Sequence, residues 1–123
     1  MTTILVIEDN PDNMALIEEI LEDEGFTVLK AFLAEEGIKL LTETRPDLII
    51  MDISLPEMDG LEATRIIKSD DHNNCIPIVA ITAHAMQKDR DIALAAGCDD
   101  FLTKPIEEEK LLKALNRFLI DDI

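Results

Sequence analysis

This 123-residue sequence predicts an α/β fold with one parallel sheet, and three observations carry that expectation. Five short apolar runs recur along the chain, each followed by a stretch with helical spacing. The runs at Ile4, Leu48 and Ile78 are apolar at successive positions, as strands covered on both faces must be. No linker and no low-complexity segment interrupts the alternation, so residues 1–123 are expected to form a single domain.

The first run is Ile4 to Ile7, stopped by Glu8 and Asp9. Asn10 before Pro11 supplies a cap and a first position for a helix. Its stripe is Met14, Ile17 and Leu21, and its stop is Gly25. Thr27 to Ala31 is a second, more mixed run. The helix after it starts near Ala34 and carries Ile38 and Leu41. Arg45-Pro46 breaks it, because a residue before proline avoids the helical region. Leu48 to Met51 is the most apolar run and ends at Asp52. A loop over Ile53 to Met58 leads to a helix opened by Asp59 and Glu62 at capping-box spacing. Ile78 to Ile81 ends at Thr82, and a helix from about Met86 to Ala96 stops at Gly97. That helix has a weak stripe of Ile92, Ala93 and Ala96 and no clear side-chain cap, which makes it a natural moving part. Phe101 to Thr103 ends at Lys104-Pro105. The last helix carries Leu111, Leu112, Leu115, Phe118 and Leu119, with Glu107, Glu108 and Glu109 in its first turn, where acidic charge is favoured.

Right-handed crossovers and five strands predict the order 2-1-3-4-5, a flavodoxin-like three-layer sandwich. The runs at Ile4, Leu48 and Ile78 are then central, and those at Thr27 and Phe101 are edges.

Composition narrows the function. A hydrophobic fraction of 47% supports a packed core. The balance of 27 acidic against 11 basic residues, net −16, argues against nucleic acid or an anionic membrane as direct partner. With 3% aromatics and neither Trp nor Tyr, no base-stacking surface is available. No apolar run approaches the roughly 20 residues of a membrane span, and MTTILVIEDN lacks the marks of a signal peptide. Cys75 and Cys98 form no CxxC and read as small buried thiols of a reducing cytosol, so a cytoplasmic location is expected.

In such a sheet, ligands bind beyond the carboxyl ends of the strands, near the point where strand order reverses. The strand ends here are Glu8-Asp9, Asp52, Thr82 and Lys104. Three crowded carboxylates repel, so one of them should have a raised pKa unless a cation is present. Oxygen ligands of this kind suit Mg²⁺, which takes one or two carboxylates together with phosphate oxygens. Such a site can handle a phosphoryl group. The metal and Lys104 neutralise charge, Thr82 donates to an oxygen, and a carboxylate attacks phosphorus in line. Asp52, alone at the end of the most buried run, is the candidate nucleophile.

With those residues in place, the whole chain resembles the receiver domain of two-component response regulators. The resemblance rests on Glu8-Asp9, on Asp52 in IIMDISLPEMDGLEA, on Thr82 in VAITAHAM, on Phe101 in GCDDFLTKP, and on Lys104-Pro105. It implies that Asp9, Asp52 and the main-chain carbonyl of Ser54 bind Mg²⁺, with Glu8 acting through a water. It implies a phosphoryl donor: a sensor histidine kinase or a histidine phosphotransfer protein. It also implies a switch, in which Thr82 moves to the phosphoryl group, Phe101 turns inward, and the face of helix four, strand five and helix five is remodelled. The Lys104-Pro105 bond is expected to be cis by the same resemblance. Ser54 and His84, two residues after Asp52 and Thr82, stand where the family tunes phosphoryl lifetime.

The chain ends soon after the fifth helix, which suggests a stand-alone, single-domain regulator, monomeric or dimerising on phosphorylation. Its output would be contact with an unknown downstream protein or onward phosphotransfer rather than turnover of a substrate. DGLEATRIIK and ITAHAM look most like receivers of hybrid kinases and of cell-division-type regulators. The rival from another class is a Mg²⁺-dependent phosphatase of the haloacid dehalogenase type, which shares the aspartate nucleophile. It needs a DxD motif after the first strand, where this chain has Glu8-Asp9-Asn10. Flavodoxin itself, dinucleotide-binding domains and P-loop proteins fail for want of their phosphate-binding loops.

Overall fold

The computed structural model describes residues 2–53, 59–83 and 86–119. Five strands alternate with five helices: β1 (Thr3–Ile7), α1 (Pro11–Asp23), β2 (Thr27–Ala31), α2 (Ala34–Leu40), β3 (Leu48–Asp52), α3 (Gly60–Lys68), β4 (Ile78–Thr82), α4 (Gln87–Ala96), β5 (Asp100–Thr103) and α5 (Glu108–Phe118). All pairings are parallel and the order is β2-β1-β3-β4-β5, as the sequence predicts.

Strand alternation divides the core into two layers. Leu5, Ile7, Ile49, Met51, Ile78, Ala80 and Phe101 pack with Ala34, Ala63, Ile67 and Ala93, under α2, α3 and α4. Ile4, Val6, Leu48, Ile50, Val79 and Ile81 pack with Met14, Ile17, Leu21, Leu111 and Leu115, under α1 and α5. Every residue of β3 and β4 is buried, while β2 is largely exposed at the sheet edge, matching the apolar and mixed runs. Each large aliphatic side chain so buried contributes about 1.5–3 kcal/mol.

The helix ends follow local chemistry. Asn10 Oδ1 accepts from the N–H groups of Asp12 (2.9 Å) and Asn13 (3.0 Å), capping α1. At the end of α4, Gly97 has φ +118°, and the Cys98 and Gly97 N–H groups donate to Ala93 (3.1 Å) and Leu94 (3.1 Å), closing a Schellman motif. Below the sheet, Lys68 Nζ donates to the Ile76 carbonyl (2.9 Å) and Asp99 Oδ2 (3.0 Å), and Asp99 Oδ2 also accepts from Ile78 N–H (2.8 Å). One lysine therefore ties α3 to the starts of β4 and β5.

Two expectations are corrected. Cys98 is buried, but Cys75 is exposed, because it lies in the turn-rich segment after α3 rather than under a helix. On α4 only Ala93 and Ala96 are buried, whereas Ile92 is 46% exposed, so the helix is anchored by two small side chains. Its first residue is Gln87, and Met86 caps it without a side-chain hydrogen bond.

Candidate functional site

The strand ends converge as the topology requires. β1 and β3 are neighbours, and Asp52 pairs in register with Ile81 and so lies beside Thr82. Backbone bonds carry the ladders past the strands: Glu8 N–H to Ala31, Ile53 N–H to Ile81 and Lys104 N–H to Thr82, at 3.0, 3.1 and 2.7 Å. These fix Glu8, Asp52, Thr82 and Lys104 on one rim of the sheet. Lys104-Pro105 is cis.

Glu8, Asp52 and Thr82 are buried, while Asp9 is exposed. The Lys104 ammonium lies between two of the carboxylates, 3.0 Å from Asp52 Oδ2 and 3.1 Å from Glu8 Oε1. Glu8 Oε2 also accepts from Asn10 N–H at 3.0 Å, so the cap of α1 holds the acid as well as the helix. Ligand oxygens of Glu8, Asp9 and Asp52 lie within 4.8 Å of one another.

The sequence expects one raised carboxylate pKa, and the structure assigns it to Glu8, pushed up to about 7. Burial is the leading cause, and the Asp52 charge adds to it, against the lowering effect of Asn10 N–H and Lys104. Burial works against the Lys104 ammonium too, yet Asp52 and Glu8 outweigh it and hold its pKa above the ordinary lysine value.

A hard cation fits this cluster. Glu8 Oε1 is buried and accepts no hydrogen bond, since Lys104 approaches it at ion-pair distance without a hydrogen bond's alignment. A buried carboxylate oxygen left in that condition is costly, and a cation among three carboxylates would relieve both the cost and the repulsion. Ser54 and His84 lie outside the described residues.

Two neighbouring features bear on the site. Asp59 Oδ1 accepts from Glu62 N–H at 2.8 Å and caps α3, whose first turn abuts the end of β3. Asp59→Ala is expected to cost about 1 kcal/mol, read as a lowered thermal unfolding midpoint. Phe101 is already inward: it is buried in the layer with Ala80, Ala93 and Cys98, and the Arg90 guanidinium lies 5.8 Å from its ring centroid. The expected inward turn of Phe101 therefore does not start from an exposed ring.

Sequence reasoning missed the cations around β5. Arg90 on α4, and Lys110, Lys113 and Arg117 on α5, flank this strand. The spacing of Lys110, Lys113 and Arg117 on one helix face was the available signal.

Comparison with known proteins agrees with this geometry. The sequence model of the response regulator receiver domain matches residues 4–116. The chain is 37% identical over 119 residues to the polar-differentiation response regulator DivK of Brucella anthropi, covering 97% of each, and 35% identical to its counterpart in Brucella ovis with the same coverage. Among solved structures, it is similar to the receiver domain of a sensor histidine kinase from Pseudomonas aeruginosa. That match has 38% identity, a TM-score of 0.88, and 95% and 96% of the two chains covered. That crystal structure has a magnesium ion coordinated in its active-site cleft. Chemotaxis response regulator CheY4 of Vibrio cholerae matches with TM-score 0.91 at 28% identity, covering 97% of this chain and 99% of that one. No helix among the described residues is long and apolar enough to cross a membrane. A family match over 4–116, on a sheet whose strand ends gather Glu8, Asp9, Asp52 and Lys104, means that this chain belongs to the response regulator receiver domains of two-component signalling.

Proposed function

We propose that residues 1–123 act as one phosphoacceptor switch, with Asp52 taking a phosphoryl group from a sensor histidine kinase or a histidine phosphotransfer protein. The observation that carries this reading is the Lys104 ammonium held 3.0 Å from the buried Asp52 carboxylate, at the rim where Glu8 and Asp9 supply further oxygens. In the transfer, an Asp52 Oδ–P bond forms as the donor's P–N bond breaks, and the imidazole leaves with that electron pair and takes a proton. Lys104 already sits on Asp52 Oδ2 and follows the charge onto the acyl phosphate. Thr82, beside Asp52 in register, donates its hydroxyl to a phosphoryl oxygen. Glu8, Asp9, Asp52 and the Ser54 carbonyl would hold Mg²⁺, which supplies charge neutralisation at the phosphoryl oxygens.

Receiver domains are signalling switches rather than classical enzymes, and the chemistry proposed for this chain is limited to its own phosphotransfer and autodephosphorylation. The added charge, near −2, would bias the face made by α4, β5 and α5, and so control contact with a downstream protein or onward transfer. A cytoplasmic setting, and a monomer or phosphorylation-dependent dimer, complete the reading.

The haloacid-dehalogenase alternative is not favoured: the family match is to receivers, and Glu8-Asp9-Asn10 stands where DxD is needed. Incubation with acetyl phosphate and Mg²⁺, followed by peptide mass spectrometry, should add one phosphoryl group to the peptide containing Asp52. Chelator or Asp52→Asn should abolish the label. Labelling elsewhere, or steady turnover of a small phosphomonoester, would sink the proposal.

A further inference from the structure

Lys88, Arg90, Lys110, Lys113 and Arg117, five of the chain's 11 basic residues, lie on α4 and α5, which flank β5. β5 pairs with β4 alone, so its outer edge has no strand neighbour among the described residues. Two hollows of about 250 and 200 Å³ border that edge and share Leu102 and Lys110. The charged residues lining them are Arg90, Lys110, Lys113 and Arg117, and one acid, Asp100. Asp100 is buried and engaged: its Oδ2 accepts from Arg117 Nη1 at 2.9 Å and its Oδ1 from Phe101 N–H at 2.8 Å. Lys110 is paired only with Glu107, both exposed, and such a pair is easily exchanged. A protein of net −16 thus keeps a cationic rim around its open strand edge.

We propose that this edge docks an extended acidic segment of a partner protein, with carboxylates on Arg90, Lys110 and Lys113 and apolar side chains beside Met86 and Leu102. An unpaired edge offers main-chain hydrogen bonds to an extended segment. Met86, 63% exposed, and the half-buried Leu102 offer apolar surface between the cations. At physiological salt, charge is screened over about 8 Å, so a segment on this face meets its cations rather than the net charge. A second copy meeting edge to edge about a two-fold axis would bring the same cations against one another. The assignment deepens the proposed function, on which it rests only for the link between this face and phosphorylation.

The test uses the full chain, ¹⁵N-labelled, with a peptide of about ten residues alternating glutamate and leucine, and its glutamine counterpart. Amide shifts should change at residues 86–90, 100–103 and 110–117. Affinity should fall about tenfold for the glutamine peptide and for the Lys110→Glu, Lys113→Glu double variant. If the charge reversal unfolds the chain, Lys110→Gln with Lys113→Gln should still weaken binding and flatten its salt dependence. Equal affinity for the two peptides, shifts on other faces, or a dimer formed through these residues in light scattering would overturn the proposal. Acetyl phosphate labelling of the same samples separates the two readings. Normal labelling without peptide binding defeats the docking surface alone, while peptide binding without labelling defeats the phosphoacceptor alone.

Discussion

In chelator, the protein is expected to lose about 3 kcal/mol of stability through Glu8 as pH rises from below 4.5 to above 7. The sign follows from proton counting. Glu8 has a folded pKa of about 7 against an ordinary value of 4.5, so the folded state binds the extra proton between them. Its contribution is fully present below the unfolded pKa and is lost as pH climbs through the folded one, because the folded chain must then carry a buried, repelled charge. Urea unfolding of wild type and Glu8→Gln at several pH values isolates this effect from the other carboxylates. The difference between the two curves should slope between pH 5 and 7.5, and parallel curves would remove the claim. Asp52→Asn should keep more than half of the slope, since burial outranks the Asp52 charge among the causes.

Magnesium should invert this dependence. Its oxygen ligands must be deprotonated, so apparent affinity should rise with pH through about 7, with close to one proton released per ion near pH 6. Excess Mg²⁺ at roughly 100 times its dissociation constant adds about 2.7 kcal/mol to the folded state. The same buried acid that penalises the metal-free chain at neutral pH is therefore what makes it responsive to a cation.

Most of the architecture was legible because its determinants are local. Runs such as Leu48 to Met51 can only be buried strands, and Asn10-Pro11, Asp59 and Gly97 punctuate helices through chemistry confined to a few residues. Strand order then follows from handedness, and the order places Glu8, Asp52, Thr82 and Lys104 on one rim. What the sequence hides depends on distance across the fold. Nothing in the spacing of Lys104 shows that its ammonium divides itself between Glu8 and Asp52, or that Glu8 is buried while its neighbour Asp9 is exposed. Nor does Asp100, at an exposed edge, show that it is buried against Arg117. Ile92 and Cys75 misled for the opposite reason: residue type suggests burial, but their elements do not turn them inward.

Gly60 is the position where such hidden geometry should have its largest mechanical effect. Gly60 is the first residue of α3, where alanine would ordinarily be favoured by about 1 kcal/mol. A Cβ there would instead meet the Asp52 carbonyl oxygen and lie 2.5 Å from Ile53 Cα and 2.9 Å from the Asp52 carbonyl carbon. These are backbone atoms continuous with a central strand and cannot rotate away. At Gly37, by contrast, a Cβ would meet the tip of the Ile7 side chain, which can. Gly60→Ala is therefore expected to cost about 3 kcal/mol, a drop of roughly 10 °C in unfolding midpoint. Relief requires either the start of α3 or the Asp52–Ile53 backbone to shift, and both displace the acyl-forming carboxylate from Lys104 and Thr82. Labelling of Asp52 by acetyl phosphate should consequently slow by roughly 10–100-fold in the fraction that remains folded. A variant that melts with wild type and labels at its rate would mean that α3 can move without disturbing Asp52, and the rigid seating of the nucleophile would have to be abandoned.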